Sequence, residues 1–194
     1  MSKGKHKSIK IIGIDPGTNV LGYSVIEVFN KSDIKIHSLG VIQLDQFADH
    51  YVKLQKIFEK ISFVLKIHEP NEMAIEAPFY GKNAQSMLKL GRAQGVAIAA
   101  GMMQGLEVIE YSPRKIKQAI TGNGNASKKQ ISVMLQKMLK LDTMPKYFDA
   151  TDALGVAVCH NLQRNSPLYK LGGNKAKNWN CLLYTSPSPR DTLL

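Results

Sequence analysis

Residues 11–27, "IIGIDPGTNVLGYSVIE", contain two apolar runs separated by a carboxylate and a turn. The first run ends on Asp15, and Pro16 and Gly17 then lead the chain into the second run. The β-branched residues of both runs predict strands, and the short connection predicts that these strands pair antiparallel. A strand of this composition belongs in a core. The carboxylate at its end therefore has either a turn-forming role or a chemical one.

The rest of the chain predicts an α/β fold. "SIKIIGID", "VLGYSVIEV" and "IKIHSLGVIQL" are predicted as three consecutive antiparallel strands, and apolar residues at helical spacing predict a helix over residues 47–68. "EMAIEAP" and "LEVIEYS" are predicted as parallel strands on either side of a helix over 83–104. Three further helices are predicted over 113–120, 127–141 and 148–163. The expected fold is one domain with a mixed five-stranded sheet and helices on both faces.

Composition limits the classes of function. The chain has 194 residues, is 44% hydrophobic and carries a formal net charge of +11 with a pI near 9.6. Such a surface favours polyanions, nucleic acid before anionic membrane. No run approaches the ~20 apolar residues of a membrane span, and Cys159 and Cys181 do not make a disulfide framework. We therefore predict a cytoplasmic protein that does not bind membranes.

The C-terminal segment differs from the body of the chain. Residues 181–194 read "CLLYTSPSPRDTLL", which has neither a helical nor a strand period. The segment resembles the translation of a sequencing adapter, although a natural disordered tail is the alternative. We predict a single domain over residues 1–180 and a non-native tail over 181–194.

Four acidic residues stand out in this basic chain. Asp15 and Glu76 each end a predicted strand, while Asp149 and Asp152 lie three residues apart at the start of the last predicted helix. If the two strands are neighbours, the acids form a cluster that repels itself unless a cation is present. Hard divalent ions such as Mg²⁺ bind oxygen ligands of this kind. The alternatives are helix capping for Asp149 and Asp152 and a turn role for Asp15.

A family resemblance follows from four collinear segments. They are "IGIDPGTNVLGYSVIE", "MAIEAPFYGKNAQSMLKLGRAQGVAIAA", "VIEYSPRKIKQAITGNGNASKKQI" and "DATDALGVAVCH". Over roughly residues 9–165 the sequence resembles the RuvC crossover junction endodeoxyribonucleases, which resolve four-way Holliday junctions in recombination and DNA repair. The resemblance implies a ribonuclease-H-like fold, a homodimer, Mg²⁺-dependent phosphodiester hydrolysis and cooperation with the RuvA–RuvB branch-migration complex. It also implies a catalytic tetrad of Asp15, Glu76, Asp149 and Asp152.

Hydrolysis of a phosphodiester bond accounts for the number of acids. Two Mg²⁺ ions about 4 Å apart can activate water and stabilise the leaving oxygen, and four carboxylates suffice to hold them. We expect Mn²⁺ to substitute. In this hypothesis Asp15 bridges both ions, Glu76 serves the leaving-group side, and Asp149 and Asp152 serve the nucleophile side.

Several basic residues and one aromatic residue are candidates for contacts with DNA. Lys128 and Lys129 begin a helix that Ser127 and Gln130 are predicted to cap, so a locally unfavourable charge there indicates a nearby anion. For any single lysine or arginine, the alternative is an ordinary solvent-exposed side chain. Phe79 can stack on an unpaired base, and the alternative for it is packing against the next helix. The complete candidate set is Phe79, Lys82, Arg114, Lys117, Lys128 and Lys129.

Other functions were weighed against this hypothesis. "IGIDPGTN" followed by "GYSV" also resembles the phosphate-binding hairpin of actin-like ATPases and sugar kinases, but a second nucleotide-binding half is missing from the sequence. A non-catalytic junction-binding protein is the other alternative. Within the predicted core, His160 is expected to be a satisfied core or rim residue rather than a ligand. The small residues of the helix over 83–104 make that helix the predicted dimer interface.

Overall fold

The computed structural model of the protein describes residues 8–30, 33–78, 83–143 and 147–164. The strands are β1 (Ile9–Asp15), β2 (Val20–Asn30), β3 (Asp33–Gln43), β4 (Glu72–Glu76) and β5 (Glu107–Tyr111). The helices are α1 (His50–His68), α2 (Ala84–Met103), α3 (Pro113–Thr121), α4 (Lys128–Leu139) and α5 (Phe148–Arg164). Every strand and helix predicted from the sequence is present, with boundaries that differ by a few residues.

The five strands form one mixed sheet in the order β3-β2-β1-β4-β5. β1 pairs antiparallel with β2, and β2 with β3, whereas β4 is parallel to both β1 and β5. Ile14 lies opposite Ile75 in the β1–β4 register. The next residue of each strand is an acid, so Asp15 and Glu76 end neighbouring strands at the same edge of the sheet. The predicted mixed five-stranded architecture is confirmed.

Capping residues set where the helices begin. α1 starts at His50 rather than at residue 47 because the Asp49 side chain accepts a hydrogen bond from the Tyr51 backbone N–H at 2.6 Å. The predicted capping box at α4 is confirmed: Ser127 and Gln130 each accept a hydrogen bond from the other's backbone N–H. This box fixes Lys128 in the first turn of α4.

Helices cover both faces of the sheet and create two apolar cores. The alternation of side chains along β1 supplies both: Ile11 faces the core formed with α3, α4 and α5, whereas Ile12 and Ile14 face the core formed with α1 and α2. Each of these three isoleucines is fully buried. Burial of such a side chain contributes about 1.5–3 kcal/mol to stability, so the central strand is anchored on both sides.

Two glycines allow α5 to lie directly against the sheet. A β-carbon at Gly13 would overlap the carbonyl oxygen of Ala153, and a β-carbon at Gly22 would overlap that of Asp149. Ser24 fastens the contact, since its hydroxyl donates to the Ala153 carbonyl oxygen at 2.9 Å. The first turn of α5 is therefore held beside the end of β1, where Asp15 pairs with Gly22.

The chain divides into two units, Met1–Leu162 and Gln163–Leu194. The first contains the five strands, the helices α1–α4 and all of α5 but its last two residues, which are the described part of the second. None of the helices in the described ranges combines the length and the hydropathy that a membrane span requires. The predicted boundary between residues 180 and 181 lies outside the described residues and stays a prediction.

Candidate active site at one edge of the sheet

Asp15 and Glu76 lie on the α5 side of the sheet. Side chains alternate along a strand, so Asp15 shares the face of Gly13, which touches α5, and Glu76 shares the face of Ala74, which belongs to the α5 core. The carboxylates therefore project from the sheet towards the helix that carries the other two acids. The carboxylate at the end of β1 therefore lines the pocket described next.

A pocket of about 220 Å³ opens at this position. Its lining combines apolar side chains with charged side chains of both signs. The lining residues are Asp15, Glu76, Pro113, Ile116, Lys117, Lys128, Ile131, Asp152 and Gly155. Three of the four predicted acids thus share one concave site.

The fourth acid, Asp149, stands close to this pocket without lining it. Its charge, like those of Glu76 and Asp152, raises the pKa of Asp15. Asp152 lines the pocket, and its side chain is only 17% exposed. The charges of Glu76, Asp152 and Asp149 therefore all reach Asp15, so the other three predicted acids lie close to it.

Burial and mutual repulsion make ionisation of the two strand-end acids unfavourable. Desolvation, followed by the charges of Glu76, Asp152 and Asp149, raises the pKa of Asp15 to about 8. Desolvation and then the charge of Asp152 raise the pKa of Glu76 to about 7. At neutral pH, Asp15 therefore keeps its proton and Glu76 is about half protonated, so the pocket favours a cation.

Lysines supply part of that positive charge. The Lys128 ammonium donates to Asp152 Oδ2 at 2.5 Å, and this hydrogen bond raises the pKa of Lys128. The charge of Lys128 lowers the pKa of both strand-end acids, and the charge of Lys117 lowers that of Glu76. An anion was predicted near Lys128, and in the structure a carboxylate of the protein itself lies there.

The remaining candidates for DNA contact do not line this pocket: two lie elsewhere on the described residues and two lie outside them. Arg114 is exposed at the start of α3, and its side chain packs against the loop at Gly124. Lys129 is exposed and lines a separate groove of about 420 Å³ between α4 and the loop that precedes it. Phe79 and Lys82 fall in the segment 79–82, which lies outside the described residues.

Sequence reasoning missed the residues that position the acids. Gly13 and Gly22 admit the backbone of α5, and Ser24 holds it. A signal was available, because glycine in a strand interior often marks close approach of another backbone. The local sequence does not indicate which element approaches these two glycines.

The donor chemistry of the pocket fits a hard divalent cation. Carboxylate oxygens are the ligands that Mg²⁺ and similar ions prefer, and the raised pKa values of Asp15 and Glu76 reflect a need for positive charge. Within the described ranges, no three acid, histidine or cysteine side chains are already arranged as a metal cage. The Lys128 ammonium forms an ion pair with the Asp152 carboxylate. A metal would therefore compete with Lys128 for Asp152.

Comparisons with known proteins agree on one family. Residues 11–160 match the family described as crossover junction endodeoxyribonuclease RuvC. The RuvC of Cytophaga hutchinsonii is 49% identical over 195 residues, which covers 100% of this chain and 94% of the relative. The RuvC of Christiangramia forsetii is 53% identical over 165 residues, which covers 82% of this chain and 85% of the relative.

Solved structures agree with the sequence relatives. The RuvC of T. thermophilus, in complex with a Holliday junction substrate, superposes with a TM-score of 0.75 at 27% identity, covering 80% of this chain and 94% of that chain. The yeast mitochondrial Holliday junction resolvase Ydc2 shares the fold, with a TM-score of 0.59 at 14% identity over 83% of each chain. The predicted ribonuclease-H-like fold is confirmed. On its family match and its close relatives, the chain belongs to the RuvC family of crossover junction endodeoxyribonucleases.

Proposed function

We propose that this protein resolves four-way junction DNA by hydrolysing phosphodiester bonds at symmetric points in two strands. The observation that carries the proposal is the pocket in which Asp15, Glu76 and Asp152 meet beside Lys117 and Lys128. Such a pocket suits a phosphodiester, since the acids can hold cations and the lysines can contact phosphate oxygens. The T. thermophilus relative, whose solved complex contains a Holliday junction substrate, supports four-way DNA as the substrate.

Membership of the family implies that the activity depends on a divalent metal ion. We assign two Mg²⁺ ions, which Mn²⁺ can replace, to Asp15, Glu76, Asp149 and Asp152. When bound, such ions make a water molecule nucleophilic and stabilise the leaving 3′ oxygen. The contribution of the chain is a set of carboxylates that are desolvated, fixed by backbone contacts and repelled by one another until positive charge arrives.

The lysines hold the carboxylates and the substrate. Lys128 orients the Asp152 carboxylate through its 2.5 Å hydrogen bond, and Lys117 on α3 lines the same pocket. We assign both lysines to contacts with the phosphate that is cut. We also assign Arg114, Lys129 and Lys82 to contacts with the DNA backbone, and Phe79 to a base that is unpaired at the crossover.

A homodimer is the proposed working assembly, because two nicks related by two-fold symmetry require two sites in that relation. The exposed face of α2 supports it as the interface. Leu88 and Met103 are 64% and 73% exposed there. A β-carbon on Gly91 or Gly95 would meet no atom within 4 Å, so this face leaves room for a closely packed partner helix. The second copy of the chain is the proposed occupant.

The cellular context follows from the family and the charge. We assign the protein to the cytoplasm and to work with the RuvA–RuvB branch-migration complex on the same junction. The two alternatives, an ATPase or kinase of the actin-like fold and a non-catalytic junction-binding protein, are not favoured by the family match. A non-catalytic protein would also have no need for the paired acids at the ends of β1 and β4.

The test uses the purified protein and a synthetic four-way junction, with a linear duplex of the same sequence as the substrate control. We expect paired nicks in Mg²⁺, none in EDTA, and preference for the junction. Asp15→Asn should lower the cleavage rate by at least about 10³-fold, because it removes a metal ligand. Junction binding should stay intact or become slightly tighter, since one negative charge near the phosphates is lost.

Asp33→Asn is the matched control, because it makes the same chemical change at the exposed start of β3. It should cleave at the wild-type rate. If Asp15→Asn loses binding and cleavage to the same degree, Asp15 has a folding role instead. If cleavage persists in EDTA, the metal assignment is wrong.

A further inference from the structure

A buried chain of three polar side chains runs through the core beneath the active site. The Tyr111 hydroxyl lies 2.8 Å from His160 Nδ1, and His160 Nε2 lies 2.7 Å from Glu72 Oε2. His160 is fully buried, Tyr111 is 2% exposed, and the Glu72 side chain is 22% exposed. The three residues belong to α5, β5 and β4. None of them lines the catalytic pocket.

The hydrogen bonds of this network are complementary. An ionised Glu72 carboxylate can only accept, so His160 carries a hydrogen on Nε2 and donates it. A neutral imidazole then accepts at Nδ1, and the Tyr111 hydroxyl donates to it. Each donor in the network therefore meets an acceptor. In a buried region, an unsatisfied polar atom would cost about 1–3 kcal/mol of folding free energy. Such a network favours one relative placement of the three elements.

Tyr111 contacts three of the elements that carry residues of the pocket, namely β4, α3 and α5. It lies opposite Glu76 in the β4–β5 register, and its carbonyl oxygen accepts from the backbone N–H of Ala77 at 2.9 Å. Its ring lies 5.1 Å from the Lys115 ammonium on α3, and its hydroxyl reaches α5 through His160. A shift of Tyr111 would therefore change the separation of Glu76 from Asp152.

We propose that Tyr111, His160 and Glu72 form a positioning network that holds Glu76 on the sheet and the acids of α5 at their working separation. Glu72 begins β4 and Glu76 ends it, so the network clamps the far end of the strand that carries a catalytic acid to the helix that carries two more. The network touches neither substrate nor metal. The inference rests on the proposed function, because its consequence is measured as metal-dependent cleavage of a junction.

Tyr111→Phe is the first test, since it keeps the ring and removes only the hydroxyl. Tyr23→Phe is the matched control: the same group is lost on the opposite face of the sheet, where the Tyr23 hydroxyl lies against Gly40. We expect Tyr111→Phe to lower the maximal cleavage rate by about tenfold or more, as a small misplacement of catalytic groups does. It should also raise the Mg²⁺ concentration that gives half-maximal cleavage. The dissociation constant for the junction in EDTA should not change.

The second test acts from the other end of the network. Glu72→Gln retains a carbonyl oxygen that accepts from His160 and should keep most of the activity, whereas Glu72→Ala should reproduce the Tyr111→Phe defect. The inference is overturned if Tyr111→Phe and Tyr23→Phe have the same cleavage rate and Mg²⁺ requirement, or if Glu72→Gln and Glu72→Ala lose activity equally. A wild-type protein that fails to cut any junction would instead overturn the proposed function.

Discussion

The two faces of the sheet are built differently. On one face, α5 lies against β1 and β2 with its backbone in contact at Gly13 and Gly22, and the pocket that results measures about 220 Å³. On the other face, α1 and α2 pack against the sheet through side chains such as Ile12 and Ile14. A larger cavity, of about 470 Å³, lies on that second face between α1 and the strands β2 and β3.

The larger space has the less specific chemistry. Its lining includes Phe47, Phe63 and Ile67 together with lysines, and no acidic residue lies among its lining residues. The smaller pocket combines buried carboxylates with lysines because a helix backbone has come close enough to bring Asp152 to Asp15. Close backbone approach, rather than volume, therefore distinguishes the face with the candidate active site from the other face.

The largest effect should come from a methyl group placed between α5 and the sheet. A β-carbon at Gly13 would lie 2.6 Å from the Ala157 backbone nitrogen in addition to its overlap with Ala153. We expect Gly13→Ala to cost at least about 2 kcal/mol of unfolding free energy. It should also lower cleavage by about 10²-fold or more, since the acids on α5 are displaced. Chemical denaturation and a junction-cleavage assay measure the two losses.

Gly95→Ala makes the same change on the face of α2, where the new methyl group meets no atom within 4 Å in the protomer. The isolated protomer should gain roughly 0.5–1 kcal/mol from helix propensity. Any loss of activity must then come through a partner copy, and it should appear as a lower mass by light scattering. An unchanged mass at all concentrations would remove this part of α2 from the dimer interface.

A smaller effect is expected from the lysine that pairs with Asp152. Lys128→Ala removes the hydrogen bond to Asp152 Oδ2, and loss of such a charge-assisted bond is worth about 1.5–3 kcal/mol. We expect cleavage to slow by about tenfold, while the Mg²⁺ requirement stays equal or falls because the ammonium no longer competes for Asp152. Titration of Mg²⁺ in a single-turnover assay separates these outcomes.

Lys129→Ala tests the neighbouring position, which points into the separate groove beside Met134. It should weaken junction binding as the loss of one phosphate contact does. The slope of the logarithm of the binding constant against the logarithm of the salt concentration should fall in magnitude by about one. The rate of the bound complex should not change. If Lys128→Ala and Lys129→Ala slow cleavage by the bound complex equally, the assignment of Lys128 to the cleavage step and of Lys129 to binding alone is wrong.

The smallest effect is a pH dependence of stability in the metal-free protein. Asp15 and Glu76 have pKa values raised to about 8 and about 7, above the 3.8 and 4.5 of the unfolded chain. The folded state therefore binds these protons more tightly, and the stability that they contribute is complete below pH 4 and lost as pH rises to about 8. Glu27 and Glu59, whose pKa values are lowered, act in the opposite sense.

The difference between wild type and Asp15→Asn isolates this contribution. Between pH 5 and pH 8.5 the wild type should lose at least about 1 kcal/mol more than the variant, the equivalent of roughly one pKa unit. Mg²⁺ should reduce the loss, because it takes the place of the proton. If the unfolding free energies of the two proteins change by the same amount over this pH range, Asp15 is not desolvated as described.

Much of the site was predictable because its components are local. Asp15 and Glu76 each end an apolar run, and the parallel pairing of their strands follows from the order of elements along the chain. The capping pattern at Ser127 and Gln130 fixes the start of α4 and hence the position of Lys128. These features depend on neighbouring residues and on rules of connection, which a sequence displays directly.

The remaining features depend on contacts between distant parts of the chain. The partner of Lys128 is 24 positions away, and Glu72 reaches His160 across 88 positions. His160 was correctly predicted as a satisfied core residue, but its partners could not be named. Side chains choose such partners through the packing of whole elements, which no local pattern encodes.

The hydrogen bond from Ser24 to Ala153 joins residues 129 positions apart, and it has a consequence for the timing of activity in the cell. A ribosome that adds about 5–20 residues per second needs roughly 6–26 s to synthesise that interval. During this time a nascent chain displays Asp15, and then Glu76, without the acids of α5. An unfinished polypeptide therefore lacks half of the carboxylates proposed to hold metal, so the proposed activity begins only when α5 has been synthesised and folded onto the sheet.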